Sequence, residues 1–131
     1  MIEPELPPDI LDNEWLARMV FAKRHFRPSD NTVKPEAFMP PPDLNLSVTR
    51  HMHLTEEEIW ETGRQIGVKR EKELYGRADV QAGAFRENLL DVRSDPPPPS
   101  HAVAYKWPLD KDKQMIIALE LAKRAKYFRS P

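Results

Sequence analysis

Fourteen prolines against only four glycines constrain this chain more than any other feature of it. Proline fixes φ and removes a backbone donor, so it is excluded from helix interiors and central strands. The prolines gather at Pro4–Pro8, Pro35–Pro42 and Pro96–Pro99, with single residues at Pro28, Pro108 and Pro131. Regular elements must therefore lie between these clusters, and residues 29–43 and 94–100 are expected to be stiff proline-rich loops. The run Asp95–Pro99 could also be a recognition ligand, but it is short and lies between two strand-like segments.

A length of 131 residues fits one domain, 1–131, able to bury a core without disulfide or metal staples, with residues 1–11 as an extended lead-in. Twenty basic and twenty-one acidic residues give a net charge of −1. That balance removes the argument for nucleic acid from whole-chain charge and leaves only a local basic face. No apolar run approaches the roughly 20 residues of a membrane-spanning helix, so no membrane association is expected. The start MIEPELPPDI has neither the basic end nor the apolar stretch of a signal peptide. The absence of cysteine excludes disulfides, zinc–thiolate sites and thiol catalysis. By elimination the expectation is an intracellular, cytoplasmic protein.

Periodicity supplies the elements. Trp15, Met19, Ala22 and Phe26 recur at helical spacing, which predicts a helix over residues 13–26, closed by Pro28. Leu44–Arg50 alternates apolar and polar residues and predicts a half-buried strand. Thr55-Glu56-Glu57-Glu58 has the form of a capping box, opening a helix to about Ile66 that Gly67 ends. Leu74–Ala78 resembles a short strand, and Asp79 can cap a third helix through Ala84 and Phe85. Leu90–Arg93 and His101–Trp107 predict two strands around the proline run, with small residues Ala102 and Ala104 on one face of the second. Asp110 caps a last helix, carried by Gln114, Ile117, Ala118, Leu121, Ala125 and Phe128 to residue 128. The expected fold is α+β: a single small mixed sheet of three or four strands with about four helices packed on it.

Arg50, His51 and His53 form the densest polar group in the chain, at the end of the Leu44 strand. Two imidazoles one residue apart are half of a transition-metal site, but no spacing supplies the remaining ligands, so no metal is expected. With His101 and Arg50 they could instead form a metal-free phosphodiester-cleaving site. Such chemistry needs one imidazole as base, another as acid, and a cation for the developing charge. Ser47 and Ser100 lack a nucleophile-elbow setting, and four scattered glycines cannot build a phosphate loop, so no cofactor is expected. Glu56–Glu58 needs no ligand, since acids at a helix start are stabilising by themselves. The basic end of the last helix, Lys123–Arg129 with Tyr127 and Phe128 interleaved, resembles a nucleic-acid or acidic-partner patch, although a charged helix end complementing its dipole explains most of it without a ligand.

Trp15, Trp60 and Trp107 are the candidate protein-binding residues, because tryptophan is enriched at interfaces. Two readings follow. The first, favoured by the lack of any cofactor motif, is a non-enzymatic accessory or protein-interaction module whose partner is another protein subunit. The alternative is a small, toxin-like, metal-independent RNA-directed hydrolase using His51 or His53 with His101. It would make nucleic acid the partner and the chain an enzyme.

Overall fold

In the computed structural model, which describes residues 5–131, the main sheet has six strands, more than the three or four expected, and is wholly antiparallel. Eight strands are present among the described residues: β1 (Trp15–Val20), β2 (Phe26–Arg27), β3 (Thr32–Val33), β4 (Leu46–Arg50), β5 (Gly76–Gln81), β6 (Asp91–Ser94), β7 (His101–Tyr105) and β8 (Lys126–Arg129). Six of them form one sheet in the order β6-β7-β4-β1-β5-β8, while β2 and β3 make a separate ribbon. Three α-helices accompany them: α1 (Glu56–Arg70), α2 (Ala82–Glu87) and α3 (Lys111–Arg124). This corrects the expectation of a small mixed sheet of three or four strands with about four helices. The first four residues of the expected lead-in lie outside the described residues.

The largest correction is at the start. Residues expected to form the first helix contain β1, the strand with β4 on one side and β5 on the other. Both of its faces are covered, so Trp-Leu-Ala-Arg-Met-Val shows a nearly continuous apolar run instead of alternation. Such a run fits a helical stripe equally well, and periodicity cannot separate the two. The expected last helix also ends early: Ala125 leaves helical geometry, and Lys126–Arg129 pairs with β5. Asp79, expected as a helix cap, lies inside β5.

Other local signals hold. The capping box at Thr55 and Glu58 is formed in both directions, Glu58 N donating to Thr55 Oγ1 (3.1 Å) and Thr55 N to Glu58 Oε1 (2.9 Å). Asp110 Oδ1 accepts from the amides of Asp112 and Lys113 and starts α3. The β4 and β7 strands occur where alternation placed them, joined in register through Leu46↔Ala104 and Thr49↔His101.

Topology follows from β1. Strands β4 and β5 are each antiparallel to it, so they run in the same direction with β1 between them. Their connection, α1, crosses over β1 on one face of the sheet. There Ala17 and Met19 pack against Ile59, Trp60 and Leu74. Helices α2 and α3 cover the opposite face and bury the larger core, in which Leu16, Val20, Leu46 and Val80 meet Phe85 and Leu121. The turn of 3-10 helix at Pro35–Phe38 packs against α3 and puts Phe38 into the same core. No helix among the described residues is long and apolar enough to cross a membrane.

At the outer edge, β8 approaches β5 closely only because residue 76 is glycine. A Cβ there would collide with the Tyr127 phenol and the Phe128 carbonyl. Gly76→Ala is therefore expected to lower stability by about 1–3 kcal/mol, the usual cost of overpacking. Urea unfolding checks this, and an unchanged midpoint would show that β8 can move aside freely.

Candidate functional site

The face of the sheet beneath α1 carries a charged network. Arg77 and Asp79 pair in register with Met19 and Ala17, so both side chains stand on the α1 side. They are only 3% and 5% exposed. Arg77 Nε donates to both oxygens of Asp79 (3.1 and 3.2 Å), and its Nη2 donates to Glu56 Oε2 at the start of α1 (3.0 Å). Its guanidinium also lies against the rings of Trp60 (4.6 Å) and Phe128 (5.2 Å). The hydrogen bond from Arg77 holds the Glu56 carboxyl below the usual carboxylate range.

His51 joins the same network, its Nε2 lying 3.2 Å from Asp79 Oδ1. This contact reaches diagonally from the end of β4 to β5 across β1, where Asp79 and Thr49 both pair with the small residue Ala17. A carboxylate that orients an imidazole is one requirement of general-base catalysis. The same carboxylate is engaged by Arg77, which makes the network equally a clasp between α1 and β5.

The remaining predicted residues disperse. Arg50 is fully buried, its Nε and Nη2 donating to Glu14 (2.5 and 3.1 Å) and its Nη1 to the Pro7 carbonyl (2.8 Å). It anchors the N-terminal segment to the end of β4. His101 stands opposite Thr49 on β7, on the same sheet face as His51, but turns away from it. Its Nδ1 lies 2.7 Å from the Asp95 carbonyl oxygen and 3.3 Å from the Asp95 carboxylate, in the β6–β7 connection. His53 is exposed, in the turn before α1, with a left-handed φ of 64°. The tryptophans fall on both faces of the sheet, Trp15 and Trp60 on the α1 side and Trp107 in the larger core. Trp107 is buried in the larger core and donates to the Ala104 carbonyl, Trp60 lies under Arg77, and Trp15 is half-buried beside Lys126.

A different surface stands out. Leu89 and Leu109 are 86% and 84% exposed, and Ile116 on the outer side of α3 is 63% exposed. Leu89, Pro108, Ile116 and Ile117 line one shallow depression of about 490 Å³, whose charged lining residues are Lys106, Lys113 and Glu87. Glu87 is already paired with Arg124. The signal for this surface is Met115-Ile116-Ile117: three consecutive apolar residues cannot all turn inward from a helix.

Compared with protein-family models, curated protein sequences and solved structures, the chain matches none.

Two outcomes follow from the ion pairs. Glu14→Gln leaves Arg50 buried without its counter-charge and is expected to cost about 3–5 kcal/mol in urea unfolding; a loss under about 1 kcal/mol would mean that Arg50 finds solvent. Glu56 has a lowered carboxyl pKa in the folded state, so the stability it contributes is present above its ordinary value of 4.5 and lost as pH falls through the folded value. The stability gap between the wild type and Glu56→Gln should thus be constant at neutral pH and close in acid, measured by unfolding across pH.

Proposed function

We propose that the protein is a non-enzymatic accessory module that docks on a second protein through the apolar surface formed by Leu89, Leu109 and the outer side of α3. The observation that carries this reading is Leu89. It follows the C-terminal residue cap of α2 with φ 66°, a left-handed position where glycine is the usual occupant. Its side chain is almost wholly in solvent. A leucine there is disfavoured by its backbone and gains nothing from packing, and such local cost is characteristic of residues kept for a binding role.

The partner's chemistry follows from the lining. Apolar side chains fill the depression, each worth about 1.5–3 kcal/mol on full burial. The lysine side chains at its rim, Lys106 and Lys113, have no carboxylate within ion-pair distance among the described residues. They favour a segment whose apolar residues are flanked by acids. The paired-histidine RNA hydrolase has the His51–Asp79 contact in its favour and the divergence of His101 against it.

A photocrosslinking residue placed at Ile116 tests the docking surface. The expected result is one discrete adduct in cells, absent when the crosslinker is moved to Gln65 on α1 and lost on adding Leu89→Gly. Leu89→Gly should leave the unfolding midpoint unchanged or raise it, because glycine relieves the left-handed backbone. An adduct of twice the chain's own mass would make the partner a second copy. Equal labelling from both positions, or none from Ile116, overturns the reading.

A further inference from the structure

The β1–β4 ladder contains only two registered pairs, Leu16↔Arg50 and Ala17↔Thr49. Beyond Ala17 the strands part, and Arg18 bridges the gap. Its Nε donates to the Ala37 carbonyl (2.8 Å) and its Nη1 to the Ser47 carbonyl (3.0 Å). Both acceptors are neutral, and no carboxylate among the described residues forms an ion pair with it. Burial, and secondarily the nearby Arg70 charge, lower its pKa to about 10. A guanidinium is thus held in place by backbone, with no counter-charge among the described residues.

Arg18 lies where two depressions meet. The first, a cleft of about 250 Å³ between α1 and the sheet, is lined by Arg18, Lys69, Arg70 and His101 among its charged or titratable residues, and by no carboxylate. The second, about 400 Å³, shares Arg18, Phe21 and Arg70 with the first and adds Lys23, Arg24 and Lys72, against the single acid Glu73. None of these six cations is ion-paired among the described residues, unlike Arg50, Arg77, Arg86 and Arg124 elsewhere. Two aromatic rings sit among them: Phe21 with Arg70 at 5.6 Å, and Tyr75 with Lys23 at 6.0 Å. A continuous cationic groove with aromatic rings at intervals is the arrangement that binds single strands, phosphates along the charges and bases on the rings. Arg18, already immobilised, would lose little side-chain freedom on meeting a phosphate. His25 reports the same field, since burial and then Arg24 and Arg18 lower its pKa.

We propose that this groove, running from the α1 cleft past Arg18 to the turn at Lys23–His25, binds single-stranded nucleic acid without sequence preference. The partner is distinct from the protein segment proposed for α3, and the two surfaces do not share a lining residue.

Fluorescence anisotropy with a short labelled oligothymidylate, at several salt concentrations, tests it. Binding should weaken steadily with salt. Arg24→Glu and Arg70→Glu, both at exposed residues, should each weaken it by about tenfold or more, whereas Lys111→Glu on α3, an identical change in net charge, should alter it by less than about twofold. Phe21→Leu, which keeps apolar bulk and removes the ring, should cost about fivefold or more, as loss of one stacked base does. In NMR, the His25 pKa should rise when the strand binds, because phosphate cancels the cations around it. No binding at low salt overturns the proposal, as does equal loss from Lys111→Glu. Inorganic polyphosphate or a duplex binding as tightly as the single strand, with Phe21→Leu silent, also overturns it and leaves a general polyanion surface.

Discussion

Strand β1 is hydrogen-bonded on both edges and covered on both faces, and the rest of the molecule is arranged around that double burial. Its two neighbours must each run antiparallel to it, which makes them parallel to one another and obliges α1 to cross over it. The crossing helix divides the apolar side chains into a small cluster under α1 and a larger core under α2 and α3. A chain of this length can sustain two such layers because small residues, Ala17, Ala78, Ala102 and Ala104, occur where strands and helices approach most closely.

Charge is organised by the same geometry. Inside the sheet layers two buried cations have their acids: Arg50 with Glu14, and Arg77 with Asp79. These pairs contribute uniqueness of register and chain path more than net stability, since desolvation offsets much of their attraction. At the far end of β1 the pattern reverses, and cations from β1, the Lys23–His25 turn and the end of α1 collect with one acid among them. A net charge of −1 conceals this, because averages over a chain carry no information on which residues the fold brings together.

The candidate residues were legible to unequal degrees. Arg50 and His51 are neighbours in sequence, yet the alternation of a strand sends one to the Leu16 side of the sheet, where it meets Glu14, and the other to the α1 face. His51 and His101 do stand on one face of adjacent strands, as pairing of the Leu44 and His101 segments would suggest. Their separate turns toward Asp79 and Asp95 depend on acids supplied by β5 and by the β6–β7 connection, which strand patterning does not locate. The excess of apolar residues at Met115–Ile117 was visible in the chain; that Leu89 joins it was not, because the two lie on different elements.

The amino-acid sequence by itself determined the local features: the capping box at Thr55, the cap at Asp110, and alternating strands at Leu46–Arg50 and His101–Tyr105. Each rests on contacts between residues a few positions apart, so nothing distant is needed to specify it. Tertiary structure decided the strand identity of Trp15–Val20 and Lys126–Arg129. Their patterns suit a helix as well, and only hydrogen bonds to β4 and β5 tip the balance. It also decided the groove at Arg18, since unlike charge pairs and their absence are properties of distances in space, set by how β1 and β4 part.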